Sequence, residues 1–155
     1  RSRRAPVIEV EVEAGDWRAA LPDPEATVVR AATSALGATA GDVVVLLTDD
    51  AAVRELNARF RGQDKPTNVL SFPAPAAARP HLGDLVLAWG VCAAEAQDQA
   101  KTVADHLAHL VVHGVLHLLG RDHGIEAEAE AMEAEERTIL ASLGISDPYL
   151  SRDGT

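Results

Sequence analysis

Residues 103–123 read VADHLAHLVVHGVLHLLGRDH. They belong to a longer helical tract, from about Val91 to Leu119, whose first half, AAEAQDQAKTVADH (93–106), is polar and whose second half, LAHLVVHGVLHLL (107–119), is strongly apolar. That change predicts either one long helix whose later turns sink into the core, or two helices broken near Gln97–Lys101. His113 and His117 are four residues apart, so both imidazoles fall on one helix face, one turn from each other. Two rings so placed can reach a common tetrahedral metal. Gly120 can take the left-handed conformation that ends a helix, and the turn then delivers His123 as a third ligand. The metal-binding helix and turn are expected over about 103–123.

Burying several imidazoles is costly unless each is paired or metal-bound. The pattern H-x-x-x-H-x-x-G-x-x-H is therefore read as one metal site, with zinc favoured by imidazole ligation and nickel, cobalt or copper as other divalent candidates. Three nitrogen ligands with no evident fourth predict an open position for water, the layout of a catalytic site. His106 and His109, upstream on roughly the same stripe, are expected at partly exposed polar positions, with the lining of a cleft leading to the metal as the alternative. His81, in a loop after Pro80, is expected at the surface.

An apolar helix needs a partner surface, and the flanking sequence supplies strands. Residues 7–13 alternate apolar and acidic, the period of a half-buried strand. Residues 43–47, VVVLL, read as a buried strand, and VLSF (69–72) and DLVLAW (84–89) as two more. Helices are predicted from Asp23 to Leu36, with Pro24 in the first turn and Gly37 as the stop, and from a cap at Asp49 or Asp50 to about Phe60. A last helix, about Ile125 to Leu143, is expected to turn Met132, Ile139 and Leu140 inward and an acidic face outward. The order predicts an α/β (α+β) fold: a single compact domain over 1–155 with a small mixed sheet covered by helices. Residues 1–5 are expected to be disordered.

At 155 residues the chain can bury a core without staples, and its single cysteine, Cys92, points to a reducing, cytoplasmic setting. No apolar run approaches a membrane span, and no apolar segment follows the basic start as in a signal peptide. A net charge of -10 is a poor bulk signature for binding nucleic acid. Its distribution is uneven: three basic residues and one acid lie between Arg59 and Lys65, and seven acids lie between Asp122 and Glu136. This predicts an electropositive cleft between the 59–67 loop and the metal, with the acidic helix remote from it.

The histidine spacing is that of the metzincin proteases, H-E-x-x-H-x-x-G-x-x-H, but the general-base glutamate is replaced by Gly114. Peptide hydrolysis by that mechanism is not expected. HGVLHLLGRDH (113–123) instead resembles the signature of the YbeY family of bacterial metal-dependent endoribonucleases, H-G-x-L-H-L-x-G-x-D-H, at every fixed position. LNARFRGQDKPTNVLSFP (56–73), LGDLVL (82–87), the segment around Met132 to Leu140 and GISDPY (144–149) resemble further blocks of that family.

The resemblance implies a zincin-related α/β fold, one zinc ion on His113, His117 and His123, and a role in ribosomal RNA maturation, including 16S 3′-end processing and ribosome quality control. It places the family's loop arginine on Arg61. Two departures stand near the motifs: Gln63 where many members have Lys, and Arg121 where many have Tyr. Chemically, Arg61 is the best candidate for clamping phosphate oxygens, since a guanidinium fork matches phosphate, with Arg59 and Lys65 on flanking phosphates. His113 and Arg61 are the catalytic candidates. Ser71 and Thr67 are candidate hydrogen-bond donors, and Asp84 and Asp122 candidates for orienting a ligand or water, Asp122 more naturally as a loop cap. Partners are expected to be single-stranded or ribosomal RNA, with ribosomal or ribosome-associated proteins. The competing readings are a zinc-stabilised, non-catalytic RNA- or ribosome-binding module and a metallohydrolase of another substrate.

Overall fold

The structure is a computed structural model that describes residues 5–121 and 125–149. Residues 1–4, Asp122 and His123 lie outside the described residues, so the expectations placed on them are not met or refuted by it. Four strands, β1 (Ile8–Val12), β2 (Asp42–Thr48), β3 (Val69–Pro73) and β4 (His81–Ala88), form one sheet in the order β1-β2-β4-β3. β1 and β4 run parallel to β2, and β3 returns antiparallel to β4. The mixed sheet predicted from sequence is therefore present, with β4 starting at His81 rather than Asp84.

The helices are α1 (Asp16–Ala20), α2 (Pro24–Leu36), α3 (Asp50–Arg61), α4 (Trp89–Asp98), α5 (Val103–Leu118) and α6 (Glu126–Ser142). Their ends follow local chemistry. Asp23 caps α2 by accepting from the Ala26 amide at 3.0 Å, and Asp49 caps α3 from the Ala52 amide at 2.9 Å. The long helical tract is broken in two. Ala100 takes a positive φ of 57°, and Thr102 then caps α5 through the Asp105 amide at 3.1 Å. α5 stops where Gly120 adopts φ 92°. The short helix α1 was not legible in the periodicity. It is held by Trp17, which is fully buried and donates its indole N–H to the Thr48 carbonyl at 3.0 Å.

Alternation in the strands sorts the core onto two faces. Val43, Val45, Leu47, Leu85 and Leu87 pack with α2, α5 and α6 on one face. Leu70, Val86 and Ala88 pack with Val53 of α3 on the other. Gly114 permits the closest approach on the first face: a Cβ there would lie 2.7 Å from a Leu85 methyl. This packing sets α5 against the sheet beside the edge strand β3. No helix among the described residues is long and apolar enough to cross a membrane.

Candidate metal centre and its cleft

α5 carries four histidines on one stripe, His106, His109, His113 and His117, with successive ring centroids 6.1, 6.5 and 4.7 Å apart. Nε2 of His113 faces Nε2 of His117 at 3.1 Å. Two nitrogens held at zinc-ligand distance on a tetrahedral ion lie about 3.3 Å apart, so the pair already has nearly the spacing that such an ion requires. Among the described residues no third His, Cys, Asp or Glu completes a metal cluster; the predicted third ligand, His123, lies outside them.

The other nitrogen of His113 settles its tautomer. Nδ1 lies 2.7 Å from Oε2 of Glu136, a carboxylate on α6 with no exposed surface. Oε1 of the same carboxylate lies 3.1 Å from Nε2 of His109 and accepts the Tyr149 hydroxyl. Burial pushes the Glu136 carboxyl up, but the hydrogen bonds of His109, His113 and Tyr149, with the charge of His113, outweigh it and hold the group at about 2. An ionised carboxylate only accepts. His113 therefore donates from Nδ1, which in the neutral ring puts the lone pair on Nε2, the atom that faces His117. A carboxylate behind a ligating imidazole is the usual way to fix such a ring. The donor set thus fits a divalent transition metal. Tyr149 completes the group: burial and then the hydrogen bond to Glu136 push its hydroxyl pKa up, so it remains a donor.

Three sequence expectations are corrected here. The acidic helix is not remote, because Glu136 points inward and touches two histidines. Its signal was present in the spacing, since Met132, Glu136 and Leu140 recur every four residues and all three are buried. His106 is buried rather than partly exposed, whereas His109 keeps some exposed surface as expected. The His106 side chain is 3% exposed and meets Glu95 at 2.8 Å, and that of His109 is 13% exposed and meets Glu136. Burial holds the His106 pKa below the ordinary imidazole value despite the hydrogen bond to Glu95. Asp84 does not reach the histidines either. It shares the α3 side of β4 with Val86 by alternation, and it pairs with His81 at 2.9 Å.

His113 and His117 open into a cleft of about 340 Å³, whose opposite wall is β3, through Val69 and Ser71, with Asn68 before it and Tyr149 at the rim. The cleft therefore abuts the edge strand rather than the 59–67 loop. Among the described residues, none of Arg59, Arg61 and Lys65 stands on its wall, and neither does any carboxylate. Arg59 lies in a separate groove along α3 and approaches Glu55 at 3.8 Å. Lys65 is exposed. Arg61 comes nearest: from the end of α3, across the sheet from α5, its guanidinium donates to the Ser71 carbonyl and lies 5.4 Å from the Phe72 ring centroid. Asn68 ties the wall to the buried His106 network, donating to Glu95 at 3.1 Å.

Residues 19–144 match the family model described as endoribonuclease YbeY. The chain is 51% identical over 155 residues to the endoribonuclease YbeY of Paramagnetospirillum magneticum, covering 92% of this chain and 94% of that protein. It is 50% identical over 159 residues to the endoribonuclease YbeY of Rhodopseudomonas palustris strain CGA009, covering 96% and 83%. The solution structure of TM1509 from Thermotoga maritima aligns with a TM-score of 0.56 at 24% identity, over 96% of this chain and 99% of that one, and shares the fold.

Proposed function

We propose, because this chain belongs to the YbeY family of endoribonucleases, that it is a zinc-dependent endoribonuclease acting on single-stranded stretches of ribosomal RNA in the cytoplasm. Its place would be in maturation of the 16S 3′ end and in ribosome quality control. The observation that carries the metal reading is the line Glu136–His113–His117, in which a buried carboxylate fixes the imidazole whose other nitrogen, Nε2, faces a second imidazole.

The ligands would be His113, His117 and, by the spacing of the motif, His123. Zinc bound there supplies Lewis-acid polarisation and acidifies a water. The chain's own residues do the rest. Glu136 holds the proton on Nδ1 of His113 and so keeps Nε2 available. It also sits behind the rings, so that among the described residues no carboxylate stands on the cleft wall. An anionic phosphodiester can then enter a protein of net charge -10 without meeting a like charge from the described residues of the wall. Arg61 braces the strand opposite the histidines and has further N–H donors for phosphate oxygens, while Arg59 and Lys65 would contact the RNA farther from the histidines. Peptide hydrolysis is disfavoured, because position 114, where the metzincin glutamate stands, faces Leu85 in the core rather than the cleft.

The test is RNA cleavage with metal analysis of the purified protein beside His113→Ala and Arg61→Ala. The first variant should lose metal and cleavage together, and the second should keep metal and lose cleavage. Equal cleavage by all three would mean a contaminating nuclease and overturn the assignment.

A further inference from the structure

The open edge of β3 forms the cleft wall opposite His113, and its polar groups are few and selective. The ladder register sets which groups point outward. The Ala88 amide donates to the Asn68 carbonyl and the Ala74 amide to the Leu82 carbonyl, so the even-numbered residues of this strand bond β4. Val69, Ser71 and Pro73 then turn their backbone groups to the open edge.

Most of those outward groups are already taken. Asn68 Oδ1 accepts the Val69 amide at 2.6 Å, Arg61 occupies the Ser71 carbonyl, and Pro73 has no N–H. What remains among the described residues is one donor, the Ser71 N–H, with isolated carbonyls at Val69 and Pro73. An extended peptide adding to this edge would need a run of alternating donors and acceptors, and the edge does not offer one. A single amide beside an arginine suits a phosphate oxygen.

We infer that the Ser71 amide is a phosphate-binding donor of the RNA site, and that Arg61 serves it by occupying the carbonyl of the same residue. With that carbonyl neutralised, Ser71 presents only its N–H to an incoming anion. The phosphate lies between this amide and the histidines, on the wall that Val69 and Ser71 form.

This inference rests on the RNA reading above and is tested so that the two can fail separately. Ser71→Pro removes the outward N–H and no ladder bond, because proline is tolerated where a strand's N–H faces open solvent, as Pro73 already shows. On single-stranded RNA the variant should raise KM tenfold or more, with zinc content and thermal midpoint near those of the parent. Independently, in the unsubstituted zinc-loaded protein, a 2′-O-methyl oligonucleotide should shift the Ser71 amide proton downfield in ¹⁵N-resolved spectra. Unchanged KM in a folded Ser71→Pro, or an unmoved Ser71 amide while the histidine rings respond, would overturn the inference and leave the nuclease reading standing. Failure of the unsubstituted protein to bind or cleave any RNA would overturn both.

Discussion

At the residue scale, Glu136 is the group on which the site turns. One buried carboxylate takes donors from His109, His113 and Tyr149, and the bond at 2.7 Å to Nδ1 of His113 makes Nε2 the acceptor nitrogen of the neutral ring. Glu136→Gln keeps the volume but replaces one acceptor oxygen with an NH₂ that cannot accept from an imidazole N–H. It should weaken zinc binding about 10- to 100-fold, the usual cost of losing such an outer carboxylate. Competition with a chromophoric chelator reads this directly, and an unchanged affinity would remove Glu136 from the site's machinery. Asn68 has a comparable bridging position, with its amide on Glu95 and its oxygen on the Val69 amide, so it shapes the cleft wall without facing the metal pair.

At the element scale, α5 has two demands on one surface. Its histidine stripe must border the cleft, while Val111, Val112, Val115 and Leu116 must fill the core. Gly114 reconciles them, since a Cβ there would press within 3 Å of two Leu85 methyls. Gly114→Ala gains helix propensity but overpacks a fully buried leucine, and should destabilise by about 1–3 kcal/mol. Leu85→Ala in the same chain should cost less in the Gly114→Ala background than alone, because the added methyl occupies part of the vacated volume. Urea titrations of the four chains measure the coupling, and strict additivity would show that the two side chains do not compete. The break at Ala100 matters for the same reason, because it lets α5 take its own angle on the sheet while α4 delivers Glu95 to His106.

At the scale of the whole molecule, the proposed metal sits on α5 and the turn after it, and α6 reaches the same site through Glu136. A ligand that binds only the folded state stabilises it by about 2.7 kcal/mol at a hundred times its dissociation constant. Zinc should therefore raise the thermal midpoint of the native chain by several degrees, chelation should reverse the rise, and His113→Ala should be indifferent to both. A zinc response retained by His113→Ala would place the metal elsewhere.

Much of this protein was legible in its sequence, and for local reasons. Apolar runs of the right period gave the four strands and the long helices, Pro24 in a first turn, a cap at Asp49 or Asp50 and the left-handed turn at Gly120 gave their ends, and a spacing of four put His113 beside His117, because helix geometry alone brings such residues together. The partners of those histidines were not legible in the same way. Glu136 shares the inward spacing of Met132 and Leu140, but the histidines it meets are set only when α6 docks and removes it from water. Arg61 reads as a basic loop residue until the sheet order sets it behind an edge strand, bound to the Ser71 carbonyl. Sequence determined which groups could bind a metal, since that depends on neighbours within a turn. Only the tertiary structure decided which carboxylate would orient them and which amide would stay open, since burial and strand pairing are fixed by elements that meet across many intervening residues.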